Sequence, residues 1–162
     1  MNRQASGKPT IPNKTANPPS SVSIRKAAPS DGAVLRLLLD ELGYQVTSKE
    51  INQTLERLHR DPDCGILVLT RAGAVAGFTM VYTAKSLTAG RYAIMAHLIV
   101  TKDQRGLGMG RLLVDAAKSW TQQNDLDSLR VGSQSFRKEA HLFYQKLGFS
   151  QYKTQHWFEY LI

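Results

Sequence analysis

The chain has 162 residues, a formal net charge of +8, 42% hydrophobic and 21% charged residues. That is length enough for one domain with a core, in a composition ordinary for a globular protein. Cys64 is the only cysteine, which excludes an intramolecular disulfide framework. One Cys and four scattered His supply no zinc-type ligand set, so no metal is expected. No apolar run approaches the roughly 20 residues of a membrane helix, and the N-terminus does not resemble a signal peptide. The expectation is a cytoplasmic protein without a membrane partner. The positive charge favours anionic partners, but no Lys/Arg block is present, so nucleic acid is not the expected one.

Residues 1–21 are rich in Asn, Pro, Ser, Thr, Lys and Gly. They cannot bury enough apolar surface to offset their ordering entropy and read as a flexible extension. The domain is expected over 22–162. Val22 to Arg25 alternates apolar and polar residues as a half-buried strand does. A helix follows on the stripe Val34, Leu35, Leu38 and Leu42, stopped by Gly43. Thr47 and Glu50 form a capping box, with Val46 and Ile51 as its staple, for a second helix ending at Asp61-Pro62-Asp63. Gly65 to Thr70 is a continuous apolar run, as in a strand buried on both faces. Val75 to Tyr82 is its hairpin partner, Ala84 to Gly90 a loop, and Arg91 to Val100 a third long strand.

A helix is then predicted over 108–123, with Leu112, Leu113, Ala116, Ala117 and Trp120 on one face. Ser128 to Val131 reads as a short strand. A last helix over 135–147 carries Phe136, Ala140, Phe143 and Leu147 on its core stripe, with Gly148 at its C-terminal end. Tyr152 to Ile162 reads as a terminal strand or hairpin, and Trp157 as a core or rim residue. The order β-α-α-β-β-β-α-β-α-β predicts an α/β fold: a mixed, mostly antiparallel central sheet flanked by helices.

The segment that carries chemistry runs from Leu98 to Arg111, a strand, a short loop, then glycines opening an amphipathic helix. The first N–H groups of a helix have no intrahelical acceptor, and the helix dipole adds about half a positive charge there. Glycines at 106, 108 and 110 let a ligand approach the main chain, and Arg105 and Arg111 can add charge-assisted hydrogen bonds. A phosphate or pyrophosphate is the natural guest. A Walker loop is ruled out because no Gly-Lys-Ser/Thr follows. The dinucleotide fingerprint is ruled out because the glycines fall at every second position.

This Arg-Gly-x-Gly-x-Gly turn after Leu98-Ile99-Val100 resembles the coenzyme A-binding motif of the GNAT acetyltransferase superfamily. Glu139-Ala140-His141-Leu142-Phe143-Tyr144-Gln145-Lys146-Leu147-Gly148-Phe149 resembles that family's last helix. The resemblance covers roughly Val22 to Ile162, with the two motifs in this order about 30 residues apart. The resemblance implies a GNAT-like acyl-CoA N-acyltransferase fold. It implies transfer of an acetyl group from acetyl-coenzyme A to a primary amine, of a small molecule or a protein, by direct attack in a ternary complex.

By the same resemblance, the Leu98-Ile99-Val100 strand holds the pantetheine arm through the N–H groups of Leu98 and Val100. The N–H groups of Arg105, Gly106, Leu107, Gly108, Met109, Gly110 and Arg111 hold the pyrophosphate. Lys138, or Arg137, reaches the adenosine 3′-phosphate, and Tyr144 protonates the departing sulfur. A homodimer is a mild expectation of the same kind.

Many relatives carry a Glu two positions before Leu98; here Ala96 stands there. His97 is the only titratable side chain between Tyr92 and Leu98. Strict alternation puts it on the wrong side of the strand, so it is a candidate base only where a bulge re-aims it. Because the usual Glu is absent, a non-catalytic acyl-CoA sensor or interaction module is the alternative reading.

Overall fold

In the computed structural model, which describes residues 21–162, five strands pair side by side in the order in which they occur along the chain. They are β1 (Val22–Lys26), β2 (Cys64–Arg71), β3 (Ala74–Ser86), β4 (Gly90–Val100) and β5 (Leu129–Val131). The expected extension falls, up to residue 20, outside the described residues. β1 to β4 are antiparallel, while β4 and β5 are parallel. A parallel neighbour needs a crossover, and α3 (Met109–Gln123) supplies it. The mixed, mostly antiparallel sheet flanked by helices is the fold class read from the sequence.

The alternation of each strand sends side chains to two cores. On one face, Ile66 and Val68 of β2, Phe78 of β3 and Ile99 of β4 pack with Leu35 and Leu38 of α1 (Gly32–Asp40) and with Ile51 and Leu55 of α2 (Ser48–His59). On the other, Leu69 and Ala76 meet Met109 and Leu113 of α3, and Met95 meets Val114 and Ala117. The continuous apolar run of β2 is thus explained: its alternate residues enter different cores. Fully burying a Leu or Val of this kind contributes about 1.5–3 kcal/mol.

The expected capping box is formed. The Thr47 hydroxyl accepts from the Glu50 N–H at 3.2 Å, and the Glu50 carboxylate accepts from the Thr47 N–H at 2.8 Å. At the start of α1, the nearly buried Asp31 accepts two bonds from the Arg25 guanidinium, at 2.7 and 2.8 Å, and one from the Ala28 N–H. This ties β1 to α1, and Arg25 holds the Asp31 carboxyl below the usual carboxylate range.

Five expectations are corrected. The strands β3 and β4 run through most of the supposed loop 84–90, so only a tight turn at 87–89 remains. α4 begins at Lys138, not at 135, and Phe136 is exposed rather than part of its core stripe. Tyr152 to Ile162 forms no strand or hairpin, and Trp157 is 91% exposed rather than a core or rim residue. Each of these readings relied on local pattern where tertiary partners decide.

Candidate active site

β4 carries a bulge at the position where the sequence lacks the family glutamate. Met80 pairs with His97 and Val81 with Met95, so Ala96 is the extra residue. The extra residue shifts the phase of the strand by one. Met95 and Leu98, three apart, therefore enter the same core beneath α3, and Ile99 enters the core beneath α1 and α2. His97 turns to the α1 side. Its ring meets Tyr44 edge-on at 5.9 Å and Phe78 at 6.2 Å. The bulge thus moves Met95 to the side of Leu98, while His97 stays opposite Leu98, where alternation alone put it.

His97 is half-buried, and desolvation holds its pKa below the ordinary 6.5. Its Nδ1 is buried without a hydrogen-bond partner among the described residues. The buried Thr79 hydroxyl donates to the His97 carbonyl at 2.8 Å and so holds this stretch of the bulged strand. Sequence reasoning passed over Tyr44 and Thr79. Neither lies in a motif, and only the fold brings them to His97.

Beyond Met95 the outer edge of β4 has no strand beside it, because β5 pairs only with Ala93, Ile94 and Met95. The two parallel strands part there, leaving the main chain from His97 to Val100 paired on the β3 side alone. The chain then makes a short 3-10 turn at Lys102–Gln104 and enters α3. Gly106 and Gly108 have φ of +75° and +82°, a region costly for residues with a Cβ. A Cβ at either would meet no atom within 4 Å, so the space before them is open. Gly110 is needed for another reason. A Cβ there would lie 3.3 Å from the Phe143 ring, so its absence lets α4 approach α3.

No side chain caps Gly108, and the first turn of α3 carries no acidic residue. No N–H from Gly106 to Arg111 donates to a main-chain acceptor in the turns and caps; the first such donor is Leu112, to Gly108 at 3.2 Å. The helix start is thus open, with donors pointing outward and no anion of its own.

Arg105 does not simply project outward. Its Nε donates to the Val100 carbonyl at 3.0 Å and its guanidinium lies 3.5 Å from Glu41. It fastens the turn to the end of β4. Arg111 is exposed beside Asp115 at 3.8 Å, a loose pair worth little. A depression lined by Arg71, Val75, Thr101 and Gln104 adjoins this loop and holds none of the glycines.

Tyr144 lies on α4 (Lys138–Lys146), half-buried against Phe143 and Phe149 at 5.3 and 5.6 Å between ring centres. It packs on the cluster that also receives Leu98, so it belongs to the opposite side of β4 from His97. Burial raises the Tyr144 pKa above 10. Lys138 is exposed at the first position of α4 and forms no ion pair among the described residues; Arg137 precedes it, also exposed. Cys64 is buried and its thiol is pushed up to about 11, consistent with a packed side chain.

The Acetyltransferase (GNAT) family profile matches residues 33–149, from α1 through the glycine turn to the end of α4. The chain belongs to the GNAT family of acetyltransferases. The N-acetyltransferase YhdJ of Bacillus subtilis (strain 168) is 26% identical over 70% of this chain and 80% of its own length. Among solved structures, the GNAT chain resembles glucosamine-6-phosphate N-acetyltransferase from Arabidopsis thaliana, with a TM-score of 0.75 and 22% identity over 86% of this chain and 99% of that one. It also resembles the aminoglycoside N-acetyltransferase AAC(6′)-Iy in complex with CoA, with a TM-score of 0.79 and 14% identity over 93% and 99% of the two chains. These structural likenesses bear on fold. The enzyme is an acetyltransferase, and among its described residues no helix is long and apolar enough to cross a membrane.

Proposed function

We propose that this acetyltransferase moves the acetyl group of acetyl-coenzyme A to a primary amine by direct attack in a ternary complex. The observation that carries the reading is the uncapped, acid-free start of α3 next to the unpaired stretch of β4. The outward donors of Gly106 to Arg111 suit a pyrophosphate. The free edge of Leu98, Ile99 and Val100 suits the amides of a pantetheine arm, which can add to it as a strand would. Lys138 supplies the cation nearest the start of α4 for a 3′-phosphate. The coenzyme contributes a thioester carbonyl open to nucleophilic attack.

Two neutral groups flank the parting strands. A protonated lysine-like amine, of pKa about 10.4, is no nucleophile. His97, kept neutral by burial on the α1 side, takes the proton from the incoming amine. Tyr144, kept protonated by burial on the α4 side, gives one to the departing sulfur. One environment lowers a base and the other raises an acid, which separates the two roles.

The acceptor approaches from the side of α1 and Tyr44. The acidic groups at the end of α1 are engaged there, Asp40 with Arg36 and Glu41 with Arg105. That supports a small amine, an amino-acid derivative or a protein amine over a polycation such as an aminoglycoside.

Acetyl-coenzyme A at about 100 times its Kd stabilises the protein by about 2.7 kcal/mol through linkage, read as a rise in Tm. Incubation with a panel of amines releases free thiol. No shift at saturating coenzyme refutes the site; a shift without thiol release across a broad panel makes the chain a sensor instead.

The pH profile of kcat/KM tests His97. Because its pKa is depressed, the neutral form is lost only as pH falls below 6.5, so the acid limb lies there. In His97→Asn that limb disappears and the plateau falls about 100-fold, at the low end for a general base because burial weakens its basicity. An unchanged plateau assigns proton removal to another group.

A further inference from the structure

Thr79 is fully buried on the face of β3 that meets α3. A Cβ at Gly77, two residues earlier on that face, would lie 3.2 Å from Leu113 of α3. Leu98, opposite Thr79, packs on the cluster of Met95 and Val114. A valine has nearly the shape of threonine and would bury no polar atom there. A hydroxyl in such a place is costly unless it is paired. This one is paired: it donates to the His97 carbonyl at 2.8 Å.

Where that carbonyl points decides what the bond does. Successive residues of an antiparallel strand turn their N–H and C=O groups to alternate sides. The Thr101 N–H donates to the Ala76 carbonyl of β3 at 3.0 Å. Ile99 and His97 therefore also face β3, while Val100 and Leu98 face the edge left open where the pairing with β5 ends. The register from Gly77 with Val100 to Met80 with His97 is unbroken, so this alternation holds up to the bulge. One peptide unit joins the two sides. It is planar and trans, so the His97 carbonyl and the Leu98 N–H point in opposite directions. The carbonyl meets Thr79, and the N–H looks out at the open edge. A hydrogen bond accepted at one end of an amide polarises it and strengthens the donor at the other, by about 10–30% per bond.

We propose that Thr79 is a positioning residue: its hydroxyl, acting through the His97–Leu98 peptide, aims and strengthens the Leu98 N–H toward the thioester carbonyl of acetyl-coenzyme A. The proposal rests on the acetyl-transfer reading, in which the coenzyme lies along this edge. When the amine adds to the carbonyl carbon, the C=O electron pair moves onto oxygen, and the oxyanion gains more from a stronger donor than the carbonyl did. The amine proton goes to His97. As the C–S bond breaks, its electron pair leaves with the sulfur, which takes the proton of Tyr144. No atom of Thr79 is exchanged in these steps. The bulge gives the bond its place: Ala96 has no partner on β3, so the ladder is interrupted beside His97, and Thr79 holds the His97 carbonyl from the regular side of the interruption.

Four forms of the full chain separate the bond from packing: native, Thr79→Ser, Thr79→Val and Thr79→Ala. Val keeps the shape and loses the hydroxyl. Ser keeps the hydroxyl and loses the methyl. Ser and Ala differ by the hydroxyl alone, so that pair gives the answer if Val disturbs the fold. Acetyl-coenzyme A, isotope-labelled at its thioester carbonyl, is bound at saturation without an amine, and infrared difference spectra read the carbonyl stretch. The stretch lies below its solution frequency in the native and Ser forms and returns toward it in Val and Ala. With an amine that the native enzyme acetylates, kcat falls about fivefold in Val and Ala, a part of the about 100- to 1,000-fold carried by a whole oxyanion donor. The Kd of the coenzyme stays near the native value. Ser keeps its kcat although the missing methyl lowers its Tm. A kcat that follows Tm across the four forms, or a carbonyl stretch unmoved by loss of the hydroxyl, overturns the role of Thr79. A native chain that binds the coenzyme and releases no thiol with any amine overturns the acetyl-transfer reading instead, and the infrared comparison, which needs no turnover, still decides whether Thr79 polarises the Leu98 N–H.

Discussion

Gly108→Glu lowers the affinity for acetyl-coenzyme A by at least about 100-fold, which corresponds to about 2.7 kcal/mol. Two effects combine. The φ of +82° at this position resists any residue with a Cβ, at about 1–2 kcal/mol. More importantly, a carboxylate there is an anion tethered at the helix start, where negative charge is favoured. It fills the donors of the turn from within and repels the diphosphate. The space in front of Gly108 is open, so the side chain enters without colliding with the domain.

Gly90→Glu separates the two effects. Gly90 also has a positive φ, +62°, and open space, but it begins β4, about 30 Å along the strand from Val100. Its substitution carries the backbone penalty and leaves affinity near the native value. Isothermal titration of both variants reads the difference. Native affinity in Gly108→Glu removes the coenzyme from this helix end.

Tyr144→Phe lowers kcat about 100-fold, within the usual range for a lost general acid, and leaves the affinity for acetyl-coenzyme A nearly intact. The ring remains, so its contacts with Phe143 and Phe149 persist and the fold is not the variable. Burial raises the Tyr144 pKa, so the native enzyme keeps its acid protonated throughout the neutral range and loses activity only above pH 10. In the variant that alkaline limb is missing from the kcat profile. Steady-state kinetics from neutral to strongly alkaline pH read both quantities. If turnover is unchanged, Tyr144 is a packing residue of α4, and the thiolate leaves without a proton from the protein.

These variants probe a site whose two halves were unequally legible in the sequence. The glycine turn could be read directly, because its chemistry is main-chain chemistry: glycines, a helix start and the preceding strand are consecutive residues. The same holds for the capping box of Thr47 and Glu50 and for the divided apolar run of β2, where period and side-chain type carry the whole signal. His97 could be named and set opposite Leu98 by alternation. The side taken by Met95 could not, because it depends on the unpaired Ala96, and a bulge arises from how β3 and β4 share their hydrogen bonds, not from either strand alone.

Local order along the chain was thus sufficient for the fold class, for the family and for the glycine turn that opens α3 without a side-chain cap. Relations across the chain settled the rest. They brought Tyr44 to His97, bent Arg105 back onto Val100 and Glu41, set Gly110 beneath Phe143, and parted β4 from β5 after Met95. The same is true of the final segment, whose alternating apolar residues read as a strand. A strand needs a neighbour for its N–H and C=O groups, and residues 151–162 have none among the described main-chain bonds.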